Sequence, residues 1–332
     1  MFRMQIQSKK KCIWYCSAAV SFLLFLLLNL WCDHLVNMQD AQQMAGRWSE
    51  KKDVAQISCF FSSKAEVTED TIQSFEYSLK NVLQEASITE TSENPSARLW
   101  VDAYSADGKI TLVNGRNTLD ANAIGIGGDF FLFHPLKLIT GSYFSGNDLM
   151  QDYCIIDQDA AWQLFGSNDV VGMTVYIGNV PHIVTGVVRR PQGRMEKAAG
   201  LTSTVVYVSY ETLETYGTSN GINHYEIVMP NPVDEFAYGK VKEGIGIDEK
   251  NVEIVENSRR YSLLNRIKTI LAFGTRSMNG KAIIYPYWEN LARGYEDIIA
   301  LLTVFMLFLL LYPVVTVIWC FVHWWRHKGW TL

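Results

Sequence analysis

Two long uncharged apolar runs lie near the ends of this chain, and whatever folds between them must fold with both roots in lipid. Residues Cys12–Cys32 read CIWYCSAAVSFLLFLLLNLWC, 21 positions without a charge. As a helix rising 1.5 Å per residue they reach about 31 Å, enough to cross a bilayer core. Residues Ile298–Trp325 (IIALLTVFMLFLLLYPVVTVIWCFVHWW) form a second such run, 28 positions long. Pro313 inside it frees a backbone carbonyl, which a helix in lipid tolerates if a neighbour satisfies it. Trp14, Tyr15 and Trp31 bracket the first run, and Trp319, Trp324 and Trp325 mark the far end of the second. Both sets suit interfacial aromatic belts.

Charge sorts with these runs. All 34 acids lie between residues 33 and 297, where they face 23 Lys and Arg. Arg3, Lys9, Lys10 and Lys11 precede the first run, and Arg326 and Lys328 follow the second. The positive-inside rule therefore places both tails in the cytoplasm and 33–297 outside it. The expected layout is a cytoplasmic tail at 1–11, transmembrane helices at 12–32 and 298–325, an extracytoplasmic domain at 33–297 and a cytoplasmic tail at 326–332. The first run is long for a cleaved signal peptide and lacks a small-residue cleavage site, so it reads as a retained anchor. Trp31 before Cys32 does not fit a lipoprotein site. The acidic middle argues against nucleic acid as partner, since phosphate binding needs clustered cations. Membrane lipid is the partner that the two runs require.

Within 33–297, Val54–Phe61 predicts a strand and Thr68–Ala86 a helix, with Ile72, Phe75, Leu79, Val82, Leu83 and Ala86 recurring at spacings of three and four. A hairpin is expected next, turning at Ala106-Asp107-Gly108. His224–Met229 and Val252–Val255 read as strands around a short helix at Val233–Gly244. Two strand–helix–strand units thus flank a glycine-rich, strand-rich block at about 120–200. There, Asp159–Phe165 reads as a helix stopped by Gly166. Met173–Ile177 and His182–Val188 read as strands around Gly178-Asn179-Val180-Pro181. Asn257–Ile270 reads as one helix, and Pro286–Asp297 as a helix running into the second span. The fold class is an α+β extracytoplasmic domain, a platform with an inserted strand-rich subdomain, between two transmembrane α-helices.

No catalytic or ligand constellation emerges. There is no P-loop and no HExxH. The six His, at 34, 134, 182, 224, 323 and 327, show no metal-ligand spacing, so neither metal nor cofactor is expected. Gly125-Ile126-Gly127-Gly128 lacks the third glycine of a dinucleotide fingerprint and reads as a close-packed strand or turn. Gly217-Thr218-Ser219-Asn220-Gly221 fits G-x-S-x-G, but a helix precedes it and a strand follows, the reverse of a nucleophile elbow; a surface turn is expected. Arg189, Arg190 and Arg194 read as a solvated hairpin end, with binding of an anion or an acidic neighbour as the sharper option. Asp148, Asp152, Asp157 and Asp159 lack calcium-loop spacing and read as a solvated loop. Cys59 and Cys154 are either a disulfide or, as preferred here, two buried free thiols.

Residues Gly141–Gly193 carry a further signal. Gly141-Ser142-Tyr143-Phe144 is followed shortly by Asp148, and Ala161-Trp162-Gln163-Leu164-Phe165-Gly166 ends a helix. Then come Asp169-Val170-Val171-Gly172, a short strand, and Val184-Thr185-Gly186-Val187. This order resembles the periplasmic core domain of MacB-like ABC transporter permeases of the MacB/FtsX type. The resemblance implies a non-enzymatic, permease-like subunit that relays the motion of a separate ABC ATPase to the outer domain. It implies companion permease chains and homo- or hetero-oligomerisation; the family usually has four spans, and this chain departs from it as a shortened two-span form. The alternative is a membrane-anchored extracytoplasmic sensor or adaptor for an envelope protein or peptide. A hydrolase built on Ser219 is the remaining class.

Overall fold

The computed structural model describes residues 2–49, 53–89, 98–273 and 283–328; the last four residues of the 326–332 tail lie outside them. The chain divides into two units, residues 1–38, 261–273 and 295–332 forming one, and 39–260 with 274–294 the other.

In the first unit, α1 (Phe2–Asn37) carries the first apolar run. Further on, α9 (Leu263–Leu271) is a short amphipathic helix, and α10 (Tyr287–Lys328) carries the second run in its later part. Both long helices are apolar enough to cross a membrane, and large side chains such as Leu30, Phe308 and Val317 are about two-thirds exposed. A soluble core helix would bury them. The two helices pair in opposite directions: Trp14 packs edge-on to Trp319, Ser17 bonds Tyr312, and Cys32 and Leu35 pack with Ile299 and Met306. Pro313 removes the N–H that would bond the carbonyl four residues back. That carbonyl, of Leu309, accepts from the Ser21 hydroxyl of α1 at 2.7 Å, so the neighbouring helix satisfies the freed group.

The second unit opens with α2 (Met44–Trp48), β1 (Val54–Phe61), α3 (Glu69–Glu85), β2 (Val101–Asn114) and β3 (Asn117–Gly128). Then follow α4 (Phe130–Phe133), β4 (Lys137–Gly141), β5 (Tyr153–Asp157), α5 (Gln158–Phe165), β6 (Thr174–Ile177), β7 (Val180–Arg189) and α6 (Arg194–Ala198). The rest is β8 (Val205–Ser209), α7 (Tyr210–Tyr216), β9 (Thr218–Ser219), β10 (His224–Pro230), α8 (Phe236–Gly244), β11 (Val252–Glu256) and the first two turns of α10.

Among the described residues the strands form one sheet, ordered β11-β1-β10-β2-β3-β8-β5-β7-β4. Its first four strands are antiparallel neighbours. Strand periodicity sends Ile57, Cys59, Tyr225 and Ile227 to one face. There they share a core with Ile72, Phe75, Leu79 and Leu83 of α3 and Val241 of α8. Beyond β2 the pairing returns on itself: β6 bridges β7 and the far end of β2, closing the circuit β2–β3–β8–β5–β7–β6.

Several sequence expectations need correction. Ala106-Asp107-Gly108 is not a turn: β2 runs straight through it and pairs with β3 along its length. Gly108 is small because the backbone of β9 crosses there, and a Cβ would meet the Thr218 carbonyl. The hairpin turns at Gly115, whose φ of +61° suits glycine. The β6–β7 turn is the pair Gly178-Asn179, both at positive φ, and Val180 and Pro181 already belong to β7. Asn257–Ile270 is not one helix. A 3-10 turn covers Asn257–Arg259, and α9 restarts at the cap Ser262, whose hydroxyl accepts from the Asn265 N–H. The short helix begins at Phe236 rather than Val233, with the Asn231 side chain accepting from Ala237 N–H.

Candidate functional site

On β10, His224 and Glu226 are two residues apart and share the face opposite α3. Register sets their neighbours. Glu226 lies between Ser58 of β1 and Ala103 of β2, and His224 between Phe60 and Ser105. The turn after α4 adds His134, giving a polar cluster inside an otherwise apolar layer; His134, His224 and Glu226 are each at most 4% exposed. The Glu226 carboxylate contacts His134 Nε2 through Oε1 and accepts from Gln56 at 3.0 Å and Ser58 at 3.1 Å through Oε2. His224 Nε2 lies 3.2 Å from the same Oε1. Yet it has no aligned hydrogen-bond partner among the described residues. Its Nδ1 is 3.3 Å from the Ser105 hydroxyl. Phe60 stacks on the His224 ring, and Trp288 packs against both imidazoles, tilted to His134 at 4.3 Å and edge-on to His224 at 5.3 Å.

Burial lowers His224 to a pKa of about 4 against the pull of Glu226. Burial also pushes Glu226 up, but the His134 and His224 imidazoles outweigh it and hold the carboxyl below its ordinary value. A neutral imidazole beside an ionised carboxylate follows. The ligand atoms of His134, His224 and Glu226 all lie within 4.8 Å of one another, close enough to share an ion. The spacing of His residues along the chain hides this, because His134 and His224 meet only through the β2–β10 pairing and the α4 turn. The one local hint is His224-x-Glu226 within a strand.

Among the described residues, two largely buried ion-paired centres lie elsewhere in the unit. Asp157 caps α5 by accepting from Ala160 N–H at 2.8 Å, and its other oxygen accepts from Val205 N–H and from Arg190 at 2.6 Å. Arg190 also pairs with Asp159. The arginine run and the acidic cluster, read separately as solvated, thus meet here in part: Asp157 is 1% exposed and Arg190 12%. Desolvation with a geometric partner explains their company. Asp148 instead caps its own loop by accepting from Ser145 N–H, and Arg189 is exposed. At the root of α10, Glu289 accepts two bonds from Arg260, at 2.6 and 2.8 Å, and one from Arg293 at 2.6 Å. Arg293 also pairs with Glu253 of β11. Glu289 and Arg293 are four apart on a helix and so legible in sequence; Arg260 is not.

The remaining candidates are placed as follows. Ser219 lies in β9, paired to Gly108 across β2, after a helix and before a strand. Gly125 and Gly127 lie within β3, where a Cβ would strike Leu213 and the Tyr104 ring; this is the close-packed strand expected. Cys59 and Cys154 are buried free thiols in β1 and β5.

A family model for the MacB-like periplasmic core domain matches residues 38–254. The chain belongs to this MacB-like family. Among curated relatives, the macrolide export ATP-binding/permease protein MacB of Pasteurella multocida is 32% identical over 81 residues, 24% of this chain and 12% of that protein. The protein of the same name from Neisseria gonorrhoeae is 36% identical over 80 residues, 23% of this chain and 12% of its own. The matched stretch is thus a small share of these relatives' length. Among solved structures, the periplasmic region of MacB from Actinobacillus actinomycetemcomitans aligns with a TM-score of 0.41 at 20% identity, over 66% of this chain and 92% of that one. The extracellular domain of the noncanonic ABC-type transporter YknZ from Gram-positive bacteria gives 0.40 at 21%, over 60% and 99%. The MacB-like family is one of ABC transporter permease components, and its periplasmic segment together with two candidate spans marks a membrane protein with an extracytoplasmic segment.

Proposed function

We propose that this MacB-like chain is a non-enzymatic, permease-like membrane subunit that couples a separate ABC ATPase to movement of its extracytoplasmic domain. The observation that carries this reading is the family match over residues 38–254, bracketed by two candidate spans. The arrangement of α10 supports it. One helix carries both the ion-paired root formed by Arg260, Glu289 and Arg293 and the second span. A helix so held is suited to convey displacement, because buried ion pairs with fixed geometry do not deform gradually. Both tails lie in the cytoplasm and 33–297 outside, as the distribution of cations implies. The domain boundaries are those read from the sequence. Companion permease chains and an ATPase complete the assembly, which is a homo- or hetero-oligomer. The test is affinity purification of the tagged chain in mild detergent from its native host. Co-recovery of a protein with a Walker motif is expected; a chain that always purifies alone overturns the proposal.

A further inference from the structure

We propose that His134, His224 and Glu226 together bind one divalent transition-metal ion, zinc foremost, through the Nε2 atoms of both imidazoles and the Oε1 atom of the carboxylate. Three observations carry it. First, the three ligand atoms converge on one small volume from two separate parts of the fold, all within 4.8 Å of one another. Two imidazoles and one carboxylate are a donor set that zinc and its neighbours take readily, with three protein ligands and a fourth position left over.

Second, His224 Nε2 is buried and aimed at Glu226 Oε1 from 3.2 Å, but without the alignment of a hydrogen bond. A buried polar atom with no partner is costly. Two imidazole nitrogens facing the same carboxylate oxygen are arranged as ligands around a common centre are arranged.

Third, the surroundings are those of a supported metal site. Ser105 holds His224 Nδ1 at 3.3 Å, the contact that sets a ligating imidazole's tautomer and ring plane. Gln56 and Ser58 donate to the other oxygen of Glu226, and Asn257 in turn donates to Ser58 at 2.7 Å. Phe60, Phe130 and Trp288 close an apolar shell around the imidazoles. The bound ion would pin the α4 turn to β10 beneath the first turn of α10. This inference does not depend on the transport reading, since it rests on the cluster alone.

The experiment uses the full chain in detergent, with zinc supplied during expression. Wild type should retain about one equivalent of zinc after desalting. Cobalt(II) loaded in its place should give the visible absorption bands of a low-symmetry, four-coordinate site. His134→Gln and Glu226→Gln keep the size and hydrogen-bonding capacity of the cluster, and each should abolish stoichiometric zinc. Ser105→Ala leaves all three ligands in place and should weaken zinc by about 10- to 100-fold. Should a ligand variant fail to fold, the wild-type cobalt spectrum and the Ser105→Ala affinity still decide. The inference is overturned if wild type holds no zinc above background and gives no cobalt bands, which would leave an internal ion pair only. It is equally overturned if zinc remains undiminished in both ligand variants.

Discussion

Single side chains decide several properties of this domain. Glu76 of α3 shares a hydrogen bond with Asp102 of β2, to which Tyr225 also donates at 3.0 Å. Burial first, and then the charge and hydrogen bond of Asp102, push Glu76 from 4.5 up to about 8. The folded state therefore holds a proton that the unfolded chain releases. The stabilisation is fully present below about pH 4.5 and is lost as pH rises through about 8. Thermal unfolding in detergent should show wild type weakening between about pH 5 and 8, a slope that Glu76→Gln flattens; an unchanged slope would contradict the pairing. Glu289 makes the opposite kind of demand. Glu289→Gln leaves Arg260, 3% exposed, beside an uncharged partner. The expected loss is about 3–5 kcal/mol, read as a drop in unfolding temperature and reduced by exchanging Arg260 for Met as well.

At the level of elements, close approaches and turns set the boundaries. Gly115→Ala must adopt a positive φ in open space, at about 1–2 kcal/mol. Gly108→Ala has an ordinary φ but meets the β9 backbone. An overpacking cost of about 1–3 kcal/mol is expected, with separation of β9 from β2. Denaturant titration of the two variants, with amide exchange at Gly108 and Thr218, separates the cases: only Gly108→Ala should accelerate exchange in β9. In the membrane unit, Ser21→Ala removes the donor to the carbonyl that Pro313 frees. Helix pairing should weaken by about 1 kcal/mol, seen as a lower unfolding temperature in detergent. Pro313→Ala combined with Ser21→Ala should recover part of it, because the helix then satisfies Leu309 itself while the bond between the helices stays lost.

Taken whole, the molecule invites a test of orientation: single cysteines at Lys10 and Arg326 should resist an impermeant thiol reagent in intact cells, and one at Asp120 should react. Helix α3, whose stripe is buried at Ile72, Phe75, Leu79 and Leu83 but not at Val82 and Ala86, β1, α5 with its Gly166 stop, and α7 were legible, because each rests on a local period or a local cap. The Tyr143–Phe144 and Leu164–Gly166 motifs likewise point to the MacB-like family from sequence alone. Long-range placement was not legible. Gly108 looks like a turn until β9 is laid across it, and Arg190 looks solvated until Asp157, 33 residues away, is folded beneath it. His134 and His224 are 90 positions apart in sequence, and only strand register and the α4 turn bring both imidazoles onto Glu226. Backbone preferences and hydropathy act between near neighbours, so the residues alone determined most of the helices and strands and the two apolar runs. Desolvated charge acts between whichever groups the fold buries together, so the ion pairs and the proposed metal cluster were decided by tertiary structure.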